Sequence, residues 1–394
     1  MERNDKNMKR KIGVVVTSRA SYSRVKSVLK AIKEQPDLEL FLVGAASLLL
    51  HKYGNAAAIM EEDGFRIDEK VYMVVEGENP TTMAKTVGIG IMELATIFDN
   101  YKPDIVISIA DRFETICTAI AASYLNIPVA HMQGGEITGS IDEKVRHAVT
   151  KFSSYHFAAN EHAARRIRLM GEDEKTIFVT GCPAIDLAKD ISKGYSYMNT
   201  QYLYSKYAGA GEKVDIDKDF IIVMQHPVTT EFTKAYSQME ETLAAVYEIG
   251  IPTIVMWPNV DAGSDLISKA IRAFREKEKP KNFYFFISLG PEDFLALLMK
   301  SKGIIGNSSV GIRECSYLGI PAVNIGTRQQ GREQGPNVIN TGYDKKQIKE
   351  AIIAHLQKGH RYTSVNLYGD GNAGEKIAKI LTSIPIVIEK KFKE

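Results

Sequence analysis

Short, unbroken apolar runs alternate with longer amphipathic segments along this chain. Ile12–Thr17, Leu38–Gly44, Asp104–Ile109, Pro128–Met132, Tyr155–Ala158 and Ile177–Thr180 are runs of strand length, and helical periodicities such as Val25–Glu34 and Ala84–Asn100 lie between them. A strand without polar alternation is buried on both faces, as in a parallel sheet covered by helices. Residues 11–192 therefore read as a Rossmann-like, doubly wound half. The stretch Lys193–Lys218, rich in Tyr, Gly and Lys, carries no strand run and reads as a connection with room for a short helix. The alternation resumes with Phe220–Met224, Thr253–Trp257, Phe283–Ile287, Gly303–Gly306 and Ala322–Ile325, so residues 219–374 form a second half of the same kind. No motif recurs at a fixed period, which sets a solenoid aside. The fold class predicted is α/β: two Rossmann-like doubly wound parallel-sheet domains facing a cleft.

Composition narrows this picture without redirecting it. A chain of 394 residues exceeds the usual extent of one hydrophobic core. With 44% hydrophobic and 25% charged residues it matches globular averages, and a net charge of +2 gives no ground for a nucleic-acid or membrane-surface partner. Cys117, Cys182 and Cys315 are widely spaced and lack metal-ligand spacing, so they read as reduced structural residues, with no metal site. The charged segment 1–10 runs directly into a strand pattern, and no uncharged apolar stretch reaches the roughly 18–20 residues of a membrane span. A cytoplasmic protein is expected.

Parallel sheets bind ligands beyond the carboxyl ends of their strands, so the chemistry is sought just after each apolar run. After the first run, Thr17-Ser18-Arg19-Ala20-Ser21-Tyr22-Ser23 offers hydroxyls and a guanidinium for a phosphate, or simply a helix cap beside an exposed Arg. It has no glycine fingerprint for a dinucleotide. Asp111 and Arg112 follow the third run, as a loop-shaping ion pair or as a catalytic carboxylate beside a positioning Arg. The fourth run leads into Gln133-Gly134-Gly135-Glu136 and on through Gly139-Ser140-Ile141-Asp142. This is either a long glycine-rich turn or a backbone brought close to a bulky ligand, with the carboxylates Glu136 and Asp142 in it. Arg146 and His147 come one turn later. In the second half, His226 stands before Pro227 at a strand end, and Asn259, Asp261 and Ser264 follow the next strand. Asn307, Ser308 and Ser309 open a helix that carries Glu314, placed to accept from ribose hydroxyls, and Arg328 and Arg332 add guanidiniums suited to bidentate phosphate contacts. Together these residues point to a nucleotide diphosphate.

Taken together, these segments resemble the hydrolysing UDP-N-acetylglucosamine 2-epimerase family. The resemblance covers about residues 11–383. It rests on Arg19-Ala20-Ser21-Tyr22-Ser23, Tyr53-Gly54-Asn55, Asp111-Arg112-Phe113, and Gly134-Gly135-Glu136 through Asp142 to Arg146-His147. It continues with Gln225-His226-Pro227-Val228-Thr229-Thr230, Asp261-Ala262-Gly263-Ser264, Gly306-Asn307-Ser308-Ser309, Gly326-Thr327-Arg328-Gln329 and Tyr368-Gly369-Asp370-Gly371-Asn372. The resemblance implies a glycosyltransferase B-type fold, with residues 375–394 returning as a helix to the first domain and a homodimer or homotetramer as the assembly. It implies nucleotide contacts from Arg19, Ser23, Arg112, Ser308, Ser309, Glu314 and Arg328, with Asp111, Asp142 and His226 at the active-site positions and Arg146 beside them. The implied reaction removes the C2 proton of UDP-N-acetylglucosamine, expels UDP to give a 2-acetamidoglucal, and adds water to yield N-acetylmannosamine, with no cofactor.

The chain departs from the family pattern at three positions. Gln133 stands where the family usually carries Glu, Ala110 replaces a His before the Asp–Arg pair, and Leu48 replaces another His, while His131 is kept. An amide does not exchange protons as a carboxylate does. The proton traffic then falls to Asp111, Asp142 or Glu136, or the substrate is a related nucleotide sugar such as a GDP- or UDP-linked diacetamido-trideoxy hexose, or turnover is slow. A glycosyltransferase and a non-catalytic nucleotide-sugar sensor are the alternatives from other classes.

Overall fold

The computed structural model describes residues 9–139 and 141–393; Ser140 of the glycine-rich loop and the charged segment 1–8 lie outside the described residues. Seven parallel strands form the first sheet: β1 (Arg10–Val16), β2 (Leu38–Ala45), β3 (Glu69–Val71), β4 (Ile105–Ile109), β5 (Val129–Met132), β6 (Tyr155–Ala158) and β7 (Ile177–Val179). Their order is β3-β2-β1-β4-β5-β6-β7. The second sheet contains β8 (Gly209–Gly211), β9 (Ile221–Met224), β10 (Thr253–Met256), β11 (Phe283–Phe286), β12 (Ile304–Gly306), β13 (Ala322–Ile325) and β14 (Val338–Thr341), in the order β14-β13-β12-β9-β10-β11-β8. Central strands such as β4 and β9 are buried along their whole length, as their unalternating Ile/Val sequences require.

The strands absent from the sequence reading, β3, β8 and β14, are all sheet edges. An edge strand is paired on one side only and half-exposed, so it leaves no long apolar run. The connection expected to lack a strand in fact supplies β8, which pairs antiparallel to β11 through Gly211↔Tyr284, Ala210↔Phe285 and Gly209↔Phe286. Nothing in Gly-Ala-Gly favours a strand; the neighbouring aromatic strand imposes it.

Two features position the site. The order of the first sheet reverses between β1 and β4, and that of the second between β9 and β12. At such a switch point adjacent loops diverge to opposite faces and open a crevice. The helix Ala373–Ser383 packs on the helix Lys26–Glu34, burying Ile377, Ala378 and Leu381 against Val28, Leu29 and Ile32 of the first core. Beyond it, Lys390 Nζ donates to the carbonyls of Thr150, Lys151 and Ser153 at 2.7–3.0 Å, capping the helix Ile141–Phe152 that carries Asp142. Gly306, at the end of β12, adopts φ +137°, and a Cβ there would lie 2.1 Å from the carbonyl oxygen of Met224. Gly306→Ala is therefore expected to cost about 1–3 kcal/mol in denaturant unfolding, because β9 and β12 must part at the switch point.

Candidate active site

The two switch points face each other across a cavity. Its wall carries Arg19, Ser23 and Arg24 from after β1, His226 from after β9, and Asn259 from after β10. Ser308, Ser309 and Glu314 come from after β12, and Arg328 from after β13. Met256, Leu289 and Phe294 supply an apolar side. One end is thus rich in N–H and O–H donors and suits an anion. Glu314 Oε2 is buried without a hydrogen-bond partner, and burial raises its carboxyl above the usual range.

His226 is held from both sides. Its backbone N–H donates to Asn307 Oδ1 at 2.7 Å, and Asn307 Nδ2 donates to its carbonyl at 2.8 Å. The Asn259 N–H donates to His226 Nδ1 at 3.2 Å, which leaves the ring proton on Nε2. Burial, then the charges of Arg328, Arg19 and Arg112, hold the imidazole far below its ordinary value. His226 is therefore a neutral N–H donor facing the cavity. Asn307 is buried behind it and acts on His226 and on Arg328, whose NH1 donates to the Asn307 carbonyl at 3.3 Å.

Behind this end lies a cluster of arginines and carboxylates. Asp111 accepts from Arg146 in a very short contact, from Arg24 at 3.1 Å and from Arg332 at 3.5 Å. Burial pushes the Asp111 carboxyl up, but Arg146, Arg24 and Arg332 outweigh it and hold the group well below the carboxylate range. Asp142, at the start of the helix Ile141–Phe152, behaves in the opposite way. Burial and then the charge of Asp111 raise it to about 6, although Arg328 lies 3.6 Å away. Two carboxylates with values pushed apart by their surroundings are the signature of divided acid–base roles.

Glu136 belongs to the same cluster and, like Asp111 and Asp142, lies behind the cavity wall. It is sealed between Arg313 at 3.2 Å and Arg332 at 3.3 Å, and these guanidiniums with Arg146 override burial to keep it ionised. Gln133 lies beside it, accepting from Arg313 at 3.1 Å and donating to Cys182 Sγ at 3.1 Å. Gln133 and Ala110 are non-glycine residues at positive φ, +62° and +58°, one at each of two adjacent strand ends. Such conformations concentrate where a site demands a particular direction of the chain. His131 bridges these loops: its ring contacts the Ala110 carbonyl at 2.8 Å and Thr150 Oγ1 at 3.1 Å. Gly135, at φ +74°, brings the loop so close to the helix Glu161–Leu169 that a Cβ would lie 2.2 Å from the Ala163 carbonyl oxygen.

Three residues picked out in the sequence as ligand contacts are engaged elsewhere. Arg112 pairs with Glu114 at 2.7 Å and with Asp261 at 3.2 Å, so Arg112 and Asp261 tie the two halves to each other. Ser264 donates to Glu78 Oε2 at 2.9 Å, again across the halves. These contacts, with Arg19 to the Ile287 carbonyl at 3.1 Å and Gly139 N–H to the Arg328 carbonyl at 3.2 Å, hold the cleft closed. The sequence reading missed Arg24, one residue beyond Ser23, and did not connect Arg313 with Glu136, because only the fold brings residues 136 and 313 together.

Two doubly wound sheets meeting at their switch points make this a protein of the glycosyltransferase B-type fold. Residues 30–382 match the model of the UDP-N-acetylglucosamine 2-epimerase family. Among relatives, UDP-N,N'-diacetylbacillosamine 2-epimerase (hydrolyzing) of Legionella pneumophila is 32% identical over 379 residues, covering 96% of this chain and 97% of that protein. UDP-N-acetylglucosamine 2-epimerase of Neisseria meningitidis serogroup B is 30% identical and covers 95% of each chain. The solved structure of Methanocaldococcus jannaschii UDP-GlcNAc 2-epimerase in complex with UDP-GlcNAc and UDP superposes with a TM-score of 0.77 at 18% identity, over 94% of this chain and 99% of that one, and so shares the fold. The chain belongs to the UDP-N-acetylglucosamine 2-epimerase family.

Proposed function

We propose that this chain is a hydrolysing 2-epimerase that converts a UDP-linked 2-acetamido sugar and water into the free C2-inverted sugar and UDP, with UDP-N-acetylglucosamine as the leading substrate and N-acetylmannosamine as its product. The observation that carries this reading is the adjacency, in one closed cleft, of a donor-rich anion end and two carboxylates held at opposite extremes. Arg19, Ser23, Ser308, Ser309 and Arg328 would hold the diphosphate, Glu314 the ribose, and the His226 Nε2–H the bridging oxygen. Asp142 takes the C2 proton, the C2–H electron pair becomes the C1=C2 bond, and the C1–O pair leaves with UDP. Asp111 is the second carboxylate, available when a proton returns to C2 and water adds at C1. Positioned proton transfer contributes typically about 10²–10⁴-fold, and oriented donors stabilise the growing diphosphate charge.

A UDP-linked diacetamido-trideoxy hexose is the second reading. It is favoured by the identity to the Legionella relative and by Gln133, whose amide stands where the resemblance sets a carboxylate.

An NMR time course in D₂O with each sugar nucleotide separates these substrates. Free epimerised sugar carrying deuterium at C2, alongside UDP, is expected. UDP-linked product, or no solvent deuterium at C2, would sink the mechanism. With Asp142 acting as a base of value about 6, kcat/KM is expected to rise with pH through that region and level off above it.

A further inference from the structure

One side chain belongs to both the anion end of the cleft and the carboxylate cluster. Arg24 NH1 donates to Asp111 Oδ1 at 3.1 Å, and its NH2 donates to Ser309 Oγ at 3.1 Å. Asp111 follows β4 of the first sheet and Ser309 follows β12 of the second, so this guanidinium spans the cleft from its place after β1. It also lines the cavity beside Arg19, Ser308 and Arg328.

Asp111 is oversupplied with cations. Arg146 and Arg332 contact the same oxygen, Oδ2, which leaves Oδ1 to Arg24. Around Asp111 and Glu136 the guanidiniums of Arg24, Arg146, Arg313 and Arg332 converge; Glu143, at the solvent side of Arg146 at 3.3 Å, and Glu314, whose carboxyl is raised by burial and acts on Arg313 and Arg24, lie at the margin. Arg146 Nε, Arg313 Nε and Arg332 NH1 are buried without hydrogen-bond partners. Three guanidiniums thus share the one carboxylate of Asp111, and a phosphate oxygen competes well with a carboxylate for a planar guanidinium. Of the arginines on Asp111, Arg24 is the one on the cavity wall, so it is the one a ligand can reach.

We propose that Arg24 is a further catalytic residue: on binding of a nucleotide sugar its guanidinium passes from Asp111 to the sugar-linked phosphate, clamping the leaving group and freeing Asp111 Oδ1 for proton transfer. This rests on the nucleotide-sugar reading above. As the C1–O bond breaks, its electron pair goes to the phosphate oxygen, which gains one unit of negative charge where the Arg24 N–H groups then lie. Asp111 enters proton transfer only once that phosphate is in place, which couples its part in the reaction to the presence of the diphosphate.

The test is calorimetric titration with UDP of the wild-type protein, R24Q, R24K, D111N and the R24Q/D111N double variant, together with kcat on the turned-over sugar nucleotide. R24Q is expected to weaken UDP by about 10–100-fold, the worth of a hydrogen bond to a charged group, and to lower kcat by about 10²–10³-fold, as loss of one transition-state donor does. R24K is expected to recover part of both. D111N removes the competitor for Arg24, so it is expected to tighten UDP in the Arg24 background and leave affinity unchanged in the R24Q background. A merely structural tie would lower thermal stability in R24Q without this coupling. Equal UDP affinity in wild type and R24Q, or tightening by D111N in both backgrounds, overturns the proposal. Where R24Q or D111N fails to fold, S309A and R24K carry the same question: UDP affinity equal to wild type in both overturns it. Wild-type protein that binds UDP but turns over no sugar nucleotide overturns the proposed function, and the titrations still decide Arg24.

Discussion

Replacing Asp142 with Asn is expected to lower kcat by about 10²–10⁴-fold while leaving UDP affinity within a few-fold of wild type. The carboxyl is raised to about 6 by burial and by the charge of Asp111, so among the site's carboxylates it changes protonation near neutral pH. Its stability signature runs opposite to that of an ordinary paired Asp. The folded chain binds this proton more tightly than the unfolded chain, whose value is near 3.8. The stabilising contribution is therefore full below about 3.8 and lost as pH rises through 6. At pH 8 the ionised Asp142 is a cost that the neutral amide does not carry. Asp142→Asn is thus expected to melt no lower than wild type at pH 8 while losing nearly all turnover, together with the rise of kcat/KM through pH 6. A variant that melts lower and keeps turnover would mark Asp142 as a structural partner of Arg328.

Glu136→Gln is expected to act on folding first. Glu136 is fully buried between Arg313 and Arg332, and its removal leaves Arg313 without its contacting carboxylate and Arg332 with Asp111 alone. Breaking a buried ion pair from one side costs about 3–5 kcal/mol, because a desolvated charge is left without its partner. Denaturant unfolding measures this, with the midpoint falling and the slope unchanged. Adding Arg313→Met, which removes the stranded cation, is expected to recover part of the loss. If Glu136 carried the proton that Gln133 does not, the outcome would reverse: stability near wild type, kcat reduced, and no recovery from Arg313→Met.

The contrast between these carboxylates bears on the missing family Glu. Gln133 and Glu136 share Arg313, at 3.1 Å and 3.2 Å. A carboxylate at 133 would add a negative charge to the same guanidinium, and the amide spares that charge while keeping the acceptor. In the mechanism proposed above, proton exchange rests on Asp142, raised to about 6 by its surroundings, and on Asp111, held low by the arginines around it.

The sequence alone determined the two-sheet α/β architecture, because strands buried on both faces must be continuously apolar and helices between them must be amphipathic. It also determined where the candidate site residues would gather, since donors and carboxylates after strand ends have one common destination in parallel sheets. Arg19, Ser308, Ser309, Glu314, His226 and Arg328 were legible on that ground and line one cavity. Only the tertiary structure decided the rest. The edge strands β3, β8 and β14 are held by their neighbours' hydrogen bonds and leave no pattern of their own. The different electrostatics of Asp111, Glu136 and Asp142 follow from burial and from which charges reach each one, and the arginines among them, at positions 24, 146, 313, 328 and 332, are up to 308 residues apart in the chain. Charge and burial act through distances in space, and a linear pattern carries no record of which distant guanidinium comes to rest on which carboxylate.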